Sequence, residues 1–274
     1  MEINSEENLL NKFKDLEITS DSEKLRFLEE TVNESVKFIN CGLHYLSRIN
    51  FANNNLSYAL SFLNLSRGFE LLMKCMICYK KYDNTKEDRR FKKHFPTKEE
   101  MMGYGHNLNK LRKEIMKNYQ GLFRGKTFNS KMISQLKEDR DFISKDKKLI
   151  RILKIISKYG TKGRYYELNY ITSDNPKYNE NPKFEMEKLI MEILKKDEQL
   201  GNNFVNNRDN FLIDNKIWQE IIERYIKPNL NKFLEALSRQ FSLEILGDKA
   251  RECNAIDKYA YLKDYKVKNK DADN

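Results

Sequence analysis

Glycine and proline are scarce here, with 10 and 4 among 274 residues. Sheet-rich folds spend both on tight turns, so the shortage argues against all-β and doubly wound α/β chains and leaves long uninterrupted helices. No stretch approaches the roughly eighteen consecutive apolar residues of a membrane-spanning helix, so no membrane partner is expected. The opening MEINSEENLLNKF is acidic and has no apolar heart, which excludes a secretory signal and makes the cytoplasm the expected location. Cysteine is limited to four positions. Cys75 and Cys78 have CxxC spacing, yet they sit inside the apolar run FELLMKCMICY with no second pair and no nearby histidine. That context predicts reduced, buried thiols and no metal set. Metalloprotease HExxH, the GxSxG elbow, the Walker loop and GxGxxG are all missing, so hydrolase, P-loop and dinucleotide readings have no motif to rest on and no cofactor is expected.

What is there is apolar mass and positive charge. Hydrophobic residues make up 39%, including 16 Phe and 15 Tyr, which is enough for a folded core. The formal net charge is +10. Such an excess suits a polyanionic partner such as RNA, DNA or a nucleotide, and it equally suits a Lys- and Asn-rich, AT-biased coding sequence.

Apolar spacing predicts an all-α chain. From Ser22, read as an N-cap, Leu25, Leu28, Val32, Val36, Ile39, Leu43 and Leu46 trace one helical face. A second long helix runs from about Leu56 to Tyr82, with Leu60, Leu63, Phe69, Leu72, Met73, Met76 and Ile77 on its inner face. Glu70 precedes Lys74 by four residues, the favoured order for an intrahelical ion pair. Residues 80–98 carry eight Lys or Arg against three Asp or Glu and no apolar period, which predicts a mobile basic loop. Thr97 and Glu100 form a capping-box pattern. Helices are then expected from His106, over 130–143, over 147–159 with Gly160 as the C′ residue, over 183–200, and from 214 with an interruption at Pro228. The 147–159 helix is apolar on nearly every side, which predicts a central position. GNNFVNNRDN reads as a break and residues from 264 as a frayed tail.

Three polar groups stand out. His106 in GYGHNLNKL falls at a helix start after two glycines, where free backbone N–H groups beside an imidazole suit an anion; the alternative is a histidine packed over the turn. Arg164 in KGRYYELNY has Lys162, Tyr165 and Tyr166 around it, which suits phosphate and base stacking, or equally a carboxylate at the end of the central helix. Arg89 and Arg90 precede His94 in RRFKKH, a spacing that would let an arginine clamp a phosphate while the histidine moves a proton.

The runs LSRGFELLMKCMICYKKY, GYGHNLNKLRKEI and ISKYGTKGRYYELNY resemble a HEPN-type helical protein over about residues 22–172. The matching elements are Glu70 with Lys74, Gly105 to Leu108, and Arg164 with Tyr165. The resemblance implies an antiparallel helical bundle, often dimeric, of the kind found in prokaryotic toxin–antitoxin, phage-defence and RNA-processing systems. It implies a ligand pocket at Glu70, Lys74, His106, Arg164 and Tyr165 for RNA, a nucleotide or a protein partner. Active members cut RNA without a metal through an Arg-x4–6-His motif. Arg89 and His94 have that spacing, although Arg90 follows the arginine where a polar residue is usual; Arg208-Asp209 opens correctly, but Asp214 stands where the histidine would be. The expected layout is a bundle over 1–172 with its basic loop, further helices over 183–264 and a tail over 265–274. A binding module, a metal-independent ribonuclease and a helical scaffold presenting Trp218 at an interface are the readings carried forward.

Overall fold

The computed structural model describes residues 21–49, 55–87, 94–120, 128–161, 171–172, 182–206, 211–253 and 256. Every regular element among them is helical and none is a strand, so the fold class is all-α. The elements are α1 (Asp21–Leu46), α2 (Asn55–Thr85), α3 (Lys98–Tyr104), α4 (Leu108–Ile115) with a 3₁₀ turn over Met116–Tyr119, α5 (Ser130–Lys145), α6 (Lys147–Thr161), α7 (Pro182–Leu194), α8 (Glu198–Asn206), α9 (Phe211–Ile221), a π-helical turn over Ile222–Ile226, α10 (Lys227–Ser242) and α11 (Asp248–Arg251).

α1 and α2 form an antiparallel hairpin whose register is set by a pattern they share. Each contains Ser-x6-Gly: Ser35 with Gly42, and Ser61 with Gly68. A Cβ on Gly42 would lie 2.9 Å from the Ser61 carbonyl oxygen, and one on Gly68 would lie 2.8 Å from that of Ser35. The two backbones therefore touch at two points, with no room for a methyl group at either. The Ser61 hydroxyl donates to the Gly42 carbonyl at 2.9 Å, satisfying a polar atom in the seam.

α2 is the spine. Phe62, Leu65, Phe69, Leu72, Met73 and Met76 are all fully buried, because α1, α4, α6 and α11 pack around it. Leu60 and Leu63, expected on the inner face, are only half-buried. Phe69 meets Phe233 of α10 at 5.3 Å between ring centroids, and Phe62 stacks on Tyr159 of α6 at 4.8 Å. α6 contacts α2, α4, α7 and α10, as its apolar surround predicts.

Several boundaries differ from the sequence reading. Ser22 lies within the first turn of α1, not at its cap. α2 extends through Thr85 into the stretch expected to be loop, since Thr85 itself is buried. The capping box at Thr97 and Glu100 is present, with both reciprocal hydrogen bonds. Gly160 does not end α6; it sits inside the helix with Ser66 where a side chain would be. Residues 201–206 are helical, because Leu200 is buried and the α8 cap at Asp197 accepts from the Leu200 N–H at 3.1 Å. Pro228 does not end the helical run. The π turn before it, with the Lys227 N–H reaching the Ile222 carbonyl, absorbs the missing donor, and the stripe of Leu230, Phe233, Leu234 and Leu237 resumes. The expected tail lies outside the described residues.

Buried charge links the later helices to the earlier ones. Asp139 of α5 and Arg239 of α10 pair with 0% and 2% side-chain exposure. Arg112 of α4 is buried too, and its guanidinium donates to the Ile143 and Ser144 carbonyls, closing the end of α5.

Candidate functional site

Four residues apart on α2, Glu70 and Lys74 emerge on one face one turn after the other. The Glu70 side chain is only 5% exposed, whereas that of Lys74 is 22%. A carboxylate so far from water requires donors, and it has two. Oε1 accepts from Lys74 Nζ at 2.7 Å, and Oε2 accepts from His106 Nδ1 at 2.8 Å. The imidazole comes from 36 residues away along the chain.

The turn between α3 and α4 delivers it. Gly105 adopts φ +56°, a left-handed conformation that glycine enters freely, and its N–H closes α3 on the Met102 carbonyl at 2.9 Å. Asn107 then caps α4 by accepting from the Lys110 N–H at 3.0 Å, and the Leu108 N–H donates to Ser157 Oγ of α6 at 2.7 Å. Two of the N–H groups expected to be free at this helix start are therefore already taken. The available group is the ring itself: the His106 side chain is 56% exposed, so it is not packed over the turn.

The hydrogen bond also orients the imidazole. A carboxylate only accepts, so Nδ1 carries the hydrogen. Nε2 has no hydrogen-bond partner among the described residues. It is an acceptor in the neutral ring and a donor in the imidazolium. A buried acid that holds one nitrogen of a solvent-facing histidine can serve either to move a proton or to bind an anion.

Of the five residues expected to share a ligand pocket, the structure brings Glu70, Lys74 and His106 together; Arg164 and Tyr165 lie outside the described residues. Arg89 does as well. His94 is described, and it stands elsewhere. Its Nδ1 is 3.3 Å from Thr85 Oγ1, its Nε2 is 4.0 Å from Asp21 Oδ2, and the edge of its ring meets Tyr82 at 6.3 Å. Thr85 and Glu70 are about four turns, or ~22 Å, apart along α2. The two histidines thus belong to different regions of the surface.

The sequence reading named Asn107 only within the Gly105 to Leu108 element and not as the cap of α4, and it missed Ser157 and the Asp139–Arg239 pair. Of these two, only the pair left a signal. Asp139 falls on the stripe of Leu136, Phe142 and Ile143, where an apolar residue is expected. Cys75 and Cys253 are buried, while Cys41 and Cys78 are half-buried. Burial pushes the Cys78 thiol up to about 12. Among the described residues no group of three or more His, Cys, Asp or Glu could hold a metal ion, and no helix is long and apolar enough to cross a membrane. Set against protein-family models, curated proteins and solved structures, the chain matches none of them.

Proposed function

We propose that this chain is a HEPN-like helical binding protein that takes RNA at the start of α4, with His106 as the group presented to a phosphate. The resemblance of its motifs suggests a prokaryotic defence or toxin–antitoxin setting. The observation that carries the reading is the buried Glu70 carboxylate held between Lys74 and His106. It keeps the ring in one orientation, with Nδ1 engaged and Nε2 left for a phosphate. The net charge of +10 draws a polyanion to the surface at large.

Binding is favoured over cleavage at Arg89 and His94 because the His94 side chain is only 23% exposed and its ring nitrogens face Thr85 and Asp21. A scaffold built around Trp218 has less support, since that side chain packs against the core. The test is a fluorescence titration of labelled tRNA and single-stranded oligonucleotides at increasing salt. Salt-sensitive binding weakened by His106→Ala is expected, and RNA incubated in EDTA should stay intact. Absence of any salt-sensitive affinity ends the RNA reading, and cleavage that disappears in His94→Ala replaces it with the enzyme.

A further inference from the structure

At the end of α6 remote from Ser157, a surface cavity of about 290 Å³ opens between the first turns of α6, the end of α7 and the π turn. That is near the lower end of the ~300–1,000 Å³ typical of small-molecule pockets. Leu189 and Ile193 form its apolar floor, and both are buried. Tyr225 of the π turn supplies an aromatic wall, and Lys148 Nζ lies 5.4 Å from the centre of its ring.

The charges around the cavity are arranged unusually. Lys147 and Lys148 occupy the first turn of α6, just after Asp146, whose carboxylate caps the helix by accepting from the Leu149 N–H at 2.7 Å. Lys196, just beyond α7, joins them from the opposite side. None of these three ammonium groups has a carboxylate within 4 Å among the described residues. The two carboxylates that do line the cavity are occupied: Glu192 pairs with Arg151, and Asp197 Oδ2 accepts from the Tyr225 hydroxyl at 2.6 Å. Three ammonium groups therefore line the cavity without a direct ion pair among the described residues. A rim of that kind attracts an anion.

We infer that this cavity is a binding site for a small phosphomonoester carrying a flat or apolar group, with the phosphate on the lysine rim and the remainder against Tyr225, Leu189 and Ile193. An inorganic anion would use the rim alone, and a nucleic-acid strand would leave the apolar floor unused. The site does not rest on the reading proposed for His106: Lys147 and Ser157 are about 15 Å apart along α6, and Ser157 is the residue that meets the start of α4.

Calorimetric titration of the full chain with AMP, phenyl phosphate, inorganic phosphate and adenosine tests it, beside the variants K147E/K148E and H106A. Both lysines are exposed, so the double reversal leaves the core untouched. Saturable binding is expected for AMP or phenyl phosphate, with inorganic phosphate and adenosine each weaker by about tenfold or more. The double reversal should abolish it and H106A should not alter it, while the ligand-free double variant should melt close to wild type because both side chains are exposed. Inorganic phosphate binding as tightly as the esters, binding that survives the double reversal, or no saturable binding of any probe each overturns the proposal.

Discussion

Asp139 and Arg239, 100 residues apart in sequence, meet in a two-pronged ion pair shut off from solvent: Nε to Oδ2 at 2.6 Å and Nη2 to Oδ1 at 2.7 Å. The Gln135 amide adds a third donor to the same carboxylate at 3.1 Å. Two buried charges in this geometry roughly offset their own desolvation, so the pair's contribution is more to the alignment of α5 with α10 than to net stability.

Removing one partner is a different matter. Arg239→Met leaves a carboxylate of zero exposure without its counter-ion, and urea denaturation should report a loss of about 3–5 kcal/mol. The double replacement Asp139→Leu with Arg239→Met should recover most of that loss. A double variant as unstable as the single one would show that the pair itself stabilises the fold.

Glu70 offers a contrast in which burial decides the size of the effect. In Glu70→Gln the groups that lose their anion, Lys74 and His106, both keep access to water. The expected cost is about 1 kcal/mol, well below that at Arg239. RNA affinity should fall along with that of His106→Ala if the acid acts through the ring.

Gly42 and Gly68 lie in α-helix, where alanine would ordinarily gain up to about 1 kcal/mol in propensity. Here the added methyl group strikes the opposing backbone, and separating two 26- and 31-residue helices at their seam disturbs every buried contact along it. Either alanine variant should lose about 2–4 kcal/mol in chemical denaturation. A neutral or stabilising result would place the hairpin register elsewhere.

The Tyr225–Asp197 hydrogen bond should leave a signature at both ends of the pH scale. That hydroxyl, followed by the Leu200 N–H, holds the Asp197 carboxyl below its ordinary value, so its contribution is present above about pH 4 and is lost as pH falls further. The same bond, followed by burial, raises the Tyr225 phenol, so its contribution is present below about pH 10 and is lost as pH rises beyond. The difference in melting temperature between wild type and Tyr225→Phe should be level in between and should narrow on both sides. A constant difference at every pH would exclude the bond.

Thiol accessibility gives a fourth kind of check. Iodoacetamide at neutral pH should label Cys41 first, because burial raises the Cys75 and Cys78 thiols and Cys253 is enclosed beside the Tyr79 hydroxyl. Equal labelling of all four in the native protein would contradict the packing of α2.

Much of this architecture is written in local patterns. Three- and four-residue apolar spacing gives α1, α5, α6 and α10 nearly to their ends, since one face of each helix must leave water regardless of what covers it. The Ser-x6-Gly pattern carries no meaning in the sequence alone, because its role depends on two helices meeting antiparallel, which spacing does not say. Glu70 with Lys74 and the glycines before His106 marked residues that the fold brings together, whereas the N–H groups expected to be open there are closed by Asn107 and Ser157.

What the amino-acid order determined by itself was the class of structure: helices throughout, a core along their stripes and a surplus of positive charge. Tertiary structure alone decided which acids are buried. Glu70 looks no different in the chain from the many carboxylates on solvated faces, and Asp139, although it falls on an apolar stripe, has its counter-ion outside its own sequence neighbourhood; contact with residues 36 and 100 positions away removes them from water. Periodicity is a property of a single helix, while desolvation and pairing arise between helices, so the chemistry of this protein becomes visible only once they have come together.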